Sequence, residues 1–232
     1  MRSRLAPGLL LLALPLLLGP QTSWKSQRLR MVEEQIAARG IADERVLEAM
    51  RTVRRHEFIP EEYRDFAYRD SPVPIGFEQT ISQPYIVAFM TEQLDLQPQH
   101  KLFELGTGSG YQAAVAARLV EEVYTVEILS ELATRAREVL TRLGCDNVHV
   151  RAGDGWAGWP EAAPFDRIIV TAAAEELPQP LLSQLRPGGK MILPLGPESK
   201  VQELALVEKL LDGEISVRRL LPVRFVPVTG DH

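Results

Sequence analysis

After residue 23 the apolar positions follow two rhythms. Up to about residue 97 they recur at helical spacing. Leu29, Val32 and Ile36 predict a helix over 24–39, with Gly40 as its stop. Asp43 is placed to cap a second helix carrying Val46, Leu47, Met50 and Val53. The stretch 56–74 is loop-rich, punctuated by Pro60, Pro72 and Pro74. A third helix starts at Pro84, a residue suited to a first helical turn, and runs through Ile86, Val87, Phe89, Met90 and Leu94.

From Lys101 short apolar strands alternate with helices. Strands are predicted over 102–105, 123–127, 148–151, 165–171 and 191–195, and helices over 112–119, 131–143 and 177–185. Gly144 closes the second of these helices and Pro187-Gly188-Gly189 stops the last. Ile168-Ile169-Val170 marks a strand buried on both faces. Two more strands, 201–207 and 215–223, flank a turn at Asp212-Gly213. The order predicts an α/β fold: a doubly wound, Rossmann-like, mostly parallel sheet with helices on both faces and a helical N-terminal extension. It is expected to form one domain over 24–232, with a helical part at 24–97 and a core at 98–232 that carries the C-terminal strands.

Residues 1–23 follow neither rhythm. Arg2 and Arg4 precede Leu9 to Leu18, where eight of ten residues are leucine. A positive segment before a short apolar run resembles a secretory signal. Ten residues are too few to cross a ~30 Å hydrocarbon core as a helix, and Pro15 interrupts them. Gly19-Pro20-Gln21-Thr22-Ser23 offers small residues but no A-x-A cleavage pattern. The segment reads either as an export or anchor signal or as a mis-assigned start, and it stands apart from the fold.

Charge and composition narrow the classes. The 232 residues carry 26 basic and 31 acidic side chains, a net charge of −5. Residues 1–23 hold two arginines and no acid, so the remainder has 24 basic side chains against 31 acidic, a net of −7. That balance disfavours a nucleic-acid partner. The single cysteine, Cys145, excludes an intramolecular disulfide framework. His56, His100, His149 and His232 show no metal-ligand spacing, so no metal is expected.

The most informative stretch is Glu104-Leu105-Gly106-Thr107-Gly108-Ser109-Gly110, where the first core strand hands over to a helix. Its glycines permit a tight turn and a close approach by a ligand. Glu127 ends the next strand, 17 residues after Gly110, and can accept from both hydroxyls of a ribose. The spacing is G-x-G-x-G, not the G-x-G-x-x-G of dinucleotide binders. A carboxylate at Glu104 suits a ligand bearing an amino cation or a sulfonium, which points to S-adenosylmethionine rather than NAD; the alternative is a loop-capping carboxylate. Asp154-Gly155 follows the third core strand, where Asp154 is either an acceptor for an adenine amino group or an ordinary turn residue. Taken alone, Ser82 could cap the helix beginning at Pro84.

With these residues in view, the chain resembles the protein-L-isoaspartate O-methyltransferase family over about 26–230. Val46-Leu47-Glu48-Ala49-Met50 through Phe58-Ile59-Pro60, and Asp70-Ser71-Pro72-Val73-Pro74-Ile75-Gly76 leading into Gln79-Thr80-Ile81-Ser82-Gln83-Pro84, carry the likeness. So do the glycine loop, Gly153-Asp154-Gly155-Trp156, Leu185-Arg186-Pro187-Gly188-Gly189 and Arg224-Phe225-Val226-Pro227-Val228-Thr229. The glycine loop and the Pro-Gly-Gly stretch occur in many methyltransferases; the Thr80–Pro84 stretch and the tail are more specific.

The resemblance implies methyl transfer from S-adenosylmethionine to the α-carboxyl of L-isoaspartyl residues in damaged proteins, leaving S-adenosylhomocysteine and starting repair through a succinimide. It assigns Ser82 to catalysis. It assigns Thr80, Ile81, Glu104, Gly106, Thr107, Gly108, Gly110, Glu127, Asp154, Gly155 and Thr229 to the cofactor side of the site. It implies a cytoplasmic enzyme, expected to be monomeric, with membrane association only through the leader. A working leader would instead make it periplasmic or anchored. Glu78 departs from the family pattern, which has glycine there. The competing assignments are a methyltransferase for a small-molecule or RNA acceptor, an NAD-dependent oxidoreductase, and a non-catalytic adenosyl-binding module.

Overall fold

A computed structural model describes residues 23–197 and 199–230. The signal-like run at 1–22 and His232 lie outside the described residues. Ser23 belongs to the fold, because its hydroxyl accepts from the Ser26 N–H and caps the first helix, α1 (Trp24–Arg30). That helix widens into a π-helical stretch at Met31–Ile36 and tightens into a 3-10 turn at Ala37–Arg39. Gly40 ends it in the left-handed conformation, at φ 97°. The changed winding corrects one expected core position: Leu29 is exposed, while Arg28, Met31, Val32 and Ile36 turn inward. Helix α2 (Glu44–Thr52) is capped by Asp43, and α3 (Pro84–Gln93) has its proline in the first turn.

Two short strands between α2 and α3 were not expected. Strand β1 (Val73–Gly76) pairs with β2 (Gln79–Ile81) as an antiparallel hairpin. Phe77 and Glu78 form its turn at φ 53° and 59°, the conformation of a type I′ hairpin.

The core sheet has seven strands. They are β3 (Lys101–Leu105), β4 (Glu122–Glu127), β5 (Val148–Ala152), β6 (Phe165–Val170), β7 (Leu185–Leu195), β8 (Gln202–Lys209) and β9 (Ile215–Val223). Their order is β5-β4-β3-β6-β7-β8-β9, parallel through β7 and antiparallel at the last two joins. Pro187-Gly188-Gly189 does not stop a helix, as expected, but lies inside β7. Helix α6 (Gln179–Gln184) ends earlier, and the pairing steps from Phe165↔Leu185 to Arg167↔Lys190, so the extra residues bulge out of the ladder.

Alternation along the strands covers both faces. Leu102, Ile169, Ile192, Leu204 and Leu206 pack with α1–α3, α4 (Tyr111–Ala116) and α5 (Ser130–Arg142). Phe103, Ile168, Val170, Met191 and Leu193 pack with Leu181 and Leu182 of α6 and with Trp156 and Trp159. The strand order reverses at β3, which opens a crevice at the carboxyl ends of the strands. Among the described residues no helix is long and apolar enough to cross a membrane.

Candidate active site

The carboxyl ends of β3, β4, β5 and β6 border one cavity, which the β1–β2 hairpin and the chain's tail wall in from outside. Ten of the twelve sequence-predicted residues line it: Thr80, Ile81, Ser82, Gly106, Thr107, Gly108, Glu127, Asp154, Gly155 and Thr229.

The glycine loop is shaped by close contacts. Gly106 has φ 93°, and a Cβ there would meet Thr171 Oγ1 at 2.5 Å. The Thr171 hydroxyl lies 2.6 Å from the Gly106 carbonyl and 3.0 Å from that of Leu105. Glu127 is held rigidly, its Oε2 accepting from Gly108 N–H at 2.7 Å and its Oε1 from Leu129 N–H at 3.0 Å. Each oxygen keeps a lone pair for a ligand hydroxyl. Asp154 Oδ1 accepts from Trp156 N–H at 2.8 Å. Beside it, a Cβ on Gly155 would stand 2.9 Å from Leu105 Cγ.

Ser82 does not cap α3. The cap position falls on Gln83, without a side-chain cap bond, so the hydroxyl on the cavity wall is not spent on the helix. The tail is fastened opposite: Ala173 N–H donates to the Val226 carbonyl at 2.7 Å, and Val228 N–H to the Ala173 carbonyl at 2.8 Å. Phe77 extends the hairpin wall and packs under the Arg135 guanidinium, 5.2 Å from its ring centre.

Glu104 and Gly110 do not line the cavity. A Cβ on Gly110 would press on Leu140 at 3.2 Å and Ala136 at 3.3 Å, so this glycine lets α5 pack against the start of α4. Glu104 is fully buried, and its Oε1 has no hydrogen-bond partner among the described residues. The Thr125 hydroxyl donates to its Oε2 at 2.6 Å, and the Thr107 hydroxyl lies 2.6 Å from that of Thr125. Burial pushes the Glu104 carboxyl up to about 8; the Thr125 hydrogen bond opposes this and the charge of Glu127 adds to it. When Glu104 is ionised, Thr125 must donate to it. Thr107 must then donate to Thr125, and turns only lone pairs toward the cavity. Glu104 is therefore linked to the cavity wall through two hydroxyls, not by contact.

Known proteins resemble this chain in sequence and fold. The family model described as protein-L-isoaspartate(D-aspartate) O-methyltransferase matches residues 26–232. The chain belongs to this family. A protein-L-isoaspartate O-methyltransferase of Opitutus terrae is 51% identical over 236 residues, covering 100% of this chain and 99% of that one. One from Polaromonas is 56% identical over 190 residues, covering 82% and 90%. A solved structure from Plasmodium falciparum, described as a protein-L-isoaspartate O-methyltransferase in complex with S-adenosyl-L-homocysteine, superposes with a TM-score of 0.76 at 29% identity, covering 87% of this chain and 98% of that one.

Glu78, where the resemblance expects glycine, lies in the hairpin turn. Its φ of 59° is one that glycine adopts freely and a glutamate resists. Thr171 and Gln112 also line the cavity and were not singled out by sequence. Thr171 could have been found by its place at the carboxyl end of a core strand. Gln112 could have been found as a polar residue in an otherwise apolar helical turn.

Proposed function

We propose that this isoaspartate methyltransferase moves a methyl group from S-adenosylmethionine to the α-carboxyl of L-isoaspartyl residues in damaged proteins and peptides, and that it does so in the cavity at the carboxyl edge of the sheet. The observation that carries the proposal is convergence. The Thr80–Ser82 stretch, the glycine loop and the Val226–Thr229 tail are far apart in sequence and line one cavity.

The residues present fit the cofactor. Gly106 and Gly155 keep the floor free of Cβ atoms, and Glu127 offers a fixed pair of acceptors suited to a ribose. Asp154 would receive the adenine side. When bound, S-adenosylmethionine supplies an electrophilic methyl carbon on a sulfonium.

The nucleophile belongs to the substrate. A carboxylate is ionised at neutral pH, so the protein needs no strong base. Ser82 donates a hydrogen bond to that carboxylate and orients it. The hairpin and the tail keep water out, and rate comes from alignment in a closed space. The amide nitrogen of the isoaspartyl linkage then attacks the ester carbonyl and expels methanol, closing a succinimide without further help, and hydrolysis of that ring returns part of the chain to normal aspartyl linkage.

Labelled methyl transfer to an isoaspartyl peptide and its aspartyl twin tests the proposal. Only the former should be labelled; equal labelling would overturn the specificity. Ser82→Ala should lower kcat by about 10²-fold or more while the Kd for S-adenosylhomocysteine stays within twofold. The enzyme acts as a monomer, without nucleic acid, in the cytoplasm where its cofactor is made. N-terminal sequencing of the protein from its own cells tests that location, since removal of residues 1–23 would mark an exported form.

A further inference from the structure

We infer that Gln112 is a cofactor-binding residue whose side-chain carbonyl accepts a hydrogen bond from the α-amino group of S-adenosylmethionine, in an orientation imposed by Thr91. The inference rests on the cavity being the S-adenosylmethionine site.

Gln112 is the second residue of α4, lines the cavity and is 8% exposed. Its Nε2 donates to Thr91 Oγ1 at 3.0 Å. Thr91 is wholly buried on α3, and its hydroxyl donates to the Val87 carbonyl at 2.7 Å. A hydroxyl has one hydrogen. With that hydrogen committed to Val87, Thr91 can only accept. The amide must therefore turn its NH2 toward Thr91 and its carbonyl away. Turned from Thr91, the carbonyl is left for the cavity that Gln112 lines.

The strand order says which end of the cofactor reaches it. Asp154 follows β5, Glu127 ends β4, and α4 begins beyond the glycine loop that follows β3. An adenine at Asp154 and a ribose at Glu127 send the amino-acid end past that loop toward Gln112. This end carries an ammonium, which only donates, and a carboxylate, which only accepts. An acceptor held toward the cavity selects the ammonium. Thr107, whose hydroxyl is linked through Thr125 to Glu104, lines the cavity from the loop itself.

A merely structural Gln112 would tie α4 to α3 and affect every ligand alike. Titration calorimetry with two ligands separates the cases: S-adenosylhomocysteine, which keeps the amino-acid end, and 5′-methylthioadenosine, which lacks it. Gln112→Met should weaken S-adenosylhomocysteine about tenfold or more, the scale of a hydrogen bond to a charged group, and leave 5′-methylthioadenosine within twofold. Thr91→Val should weaken S-adenosylhomocysteine several-fold by freeing the amide, and Thr91→Ser should restore it. Parallel weakening of both ligands, or unchanged S-adenosylhomocysteine binding in Gln112→Met, would overturn the assignment. Failure of the unmodified enzyme to bind S-adenosylhomocysteine is a separate result, and would overturn the cofactor site itself.

Discussion

Glu104→Gln keeps the size of a buried side chain and removes its charge. Glu104 is sealed from solvent, one oxygen held by Thr125 and the other without a partner among the described residues. Burial raises its pKa from the ordinary 4.5 to about 8. The folded protein therefore keeps a proton that the unfolded chain loses near pH 4.5. Between about pH 4.5 and 8 the native state binds more protons, so this group's contribution to stability falls as pH rises. Below that window the carboxyl is neutral in both states; above it the full penalty of a buried charge is present. At ~1.4 kcal/mol per unit the ceiling is on the order of 5 kcal/mol, and relaxation of the site brings it toward a few. The amide in Glu104→Gln leaves a buried donor unpaired at a cost of ~1–3 kcal/mol, but that cost does not vary with pH. The decisive quantity is the slope. Urea unfolding of ligand-free enzyme from pH 5 to pH 9 should show the variant gaining several kcal/mol on the parent, with titrating groups remote from Glu104 cancelling in the difference. Parallel curves would refute the buried-carboxylate account.

Two other substitutions probe the walls of the cavity. Gly155→Ala puts a Cβ 2.9 Å from Leu105 Cγ and 3.4 Å from Val126 Cβ; S-adenosylhomocysteine affinity should fall about tenfold and stability by ~1–3 kcal/mol, whereas unchanged calorimetric affinity would show that the floor is not closely fitted. Glu78→Gly relieves a left-handed residue at φ 59° and should raise unfolding free energy by about 0.5–1 kcal/mol; a lower urea midpoint would show that the hairpin turn is held by side-chain contacts instead.

The sheet was legible because β3 to β6 are runs of five or six residues with apolar centres, so they fall within a residue or two of their expected ends. Where local signals conflict with pairing, pairing decides. Pro187-Gly188-Gly189 has the composition of a stop, yet β6 pairs on either end of it, at Leu185 and Lys190, and carries it through as a bulge in β7. The β1–β2 hairpin escaped notice because strands of four and three residues are too short to show a period, and its turn is Phe77-Glu78, not the Asn-Gly that such turns favour. Leu29 was misplaced because nothing in an apolar pattern announces a π-helical widening at Met31–Ile36.

The site divides along the same line. Contiguous features, the glycine loop above all, can be read from the chain; the direction of a hydrogen bond cannot. Glu104 looks like a direct partner for a cation because it adjoins the glycines, but a strand side chain points to one face only, and its face leads to Thr125. Gln112 looks like helix filler until its neighbour 21 residues earlier is known to have given its only hydrogen to Val87. In both cases function follows from which atoms the fold has already claimed. A residue-by-residue match to a family carries over identities, and the hydroxyl chains beneath them decide whether each surface facing the ligand gives or takes a proton.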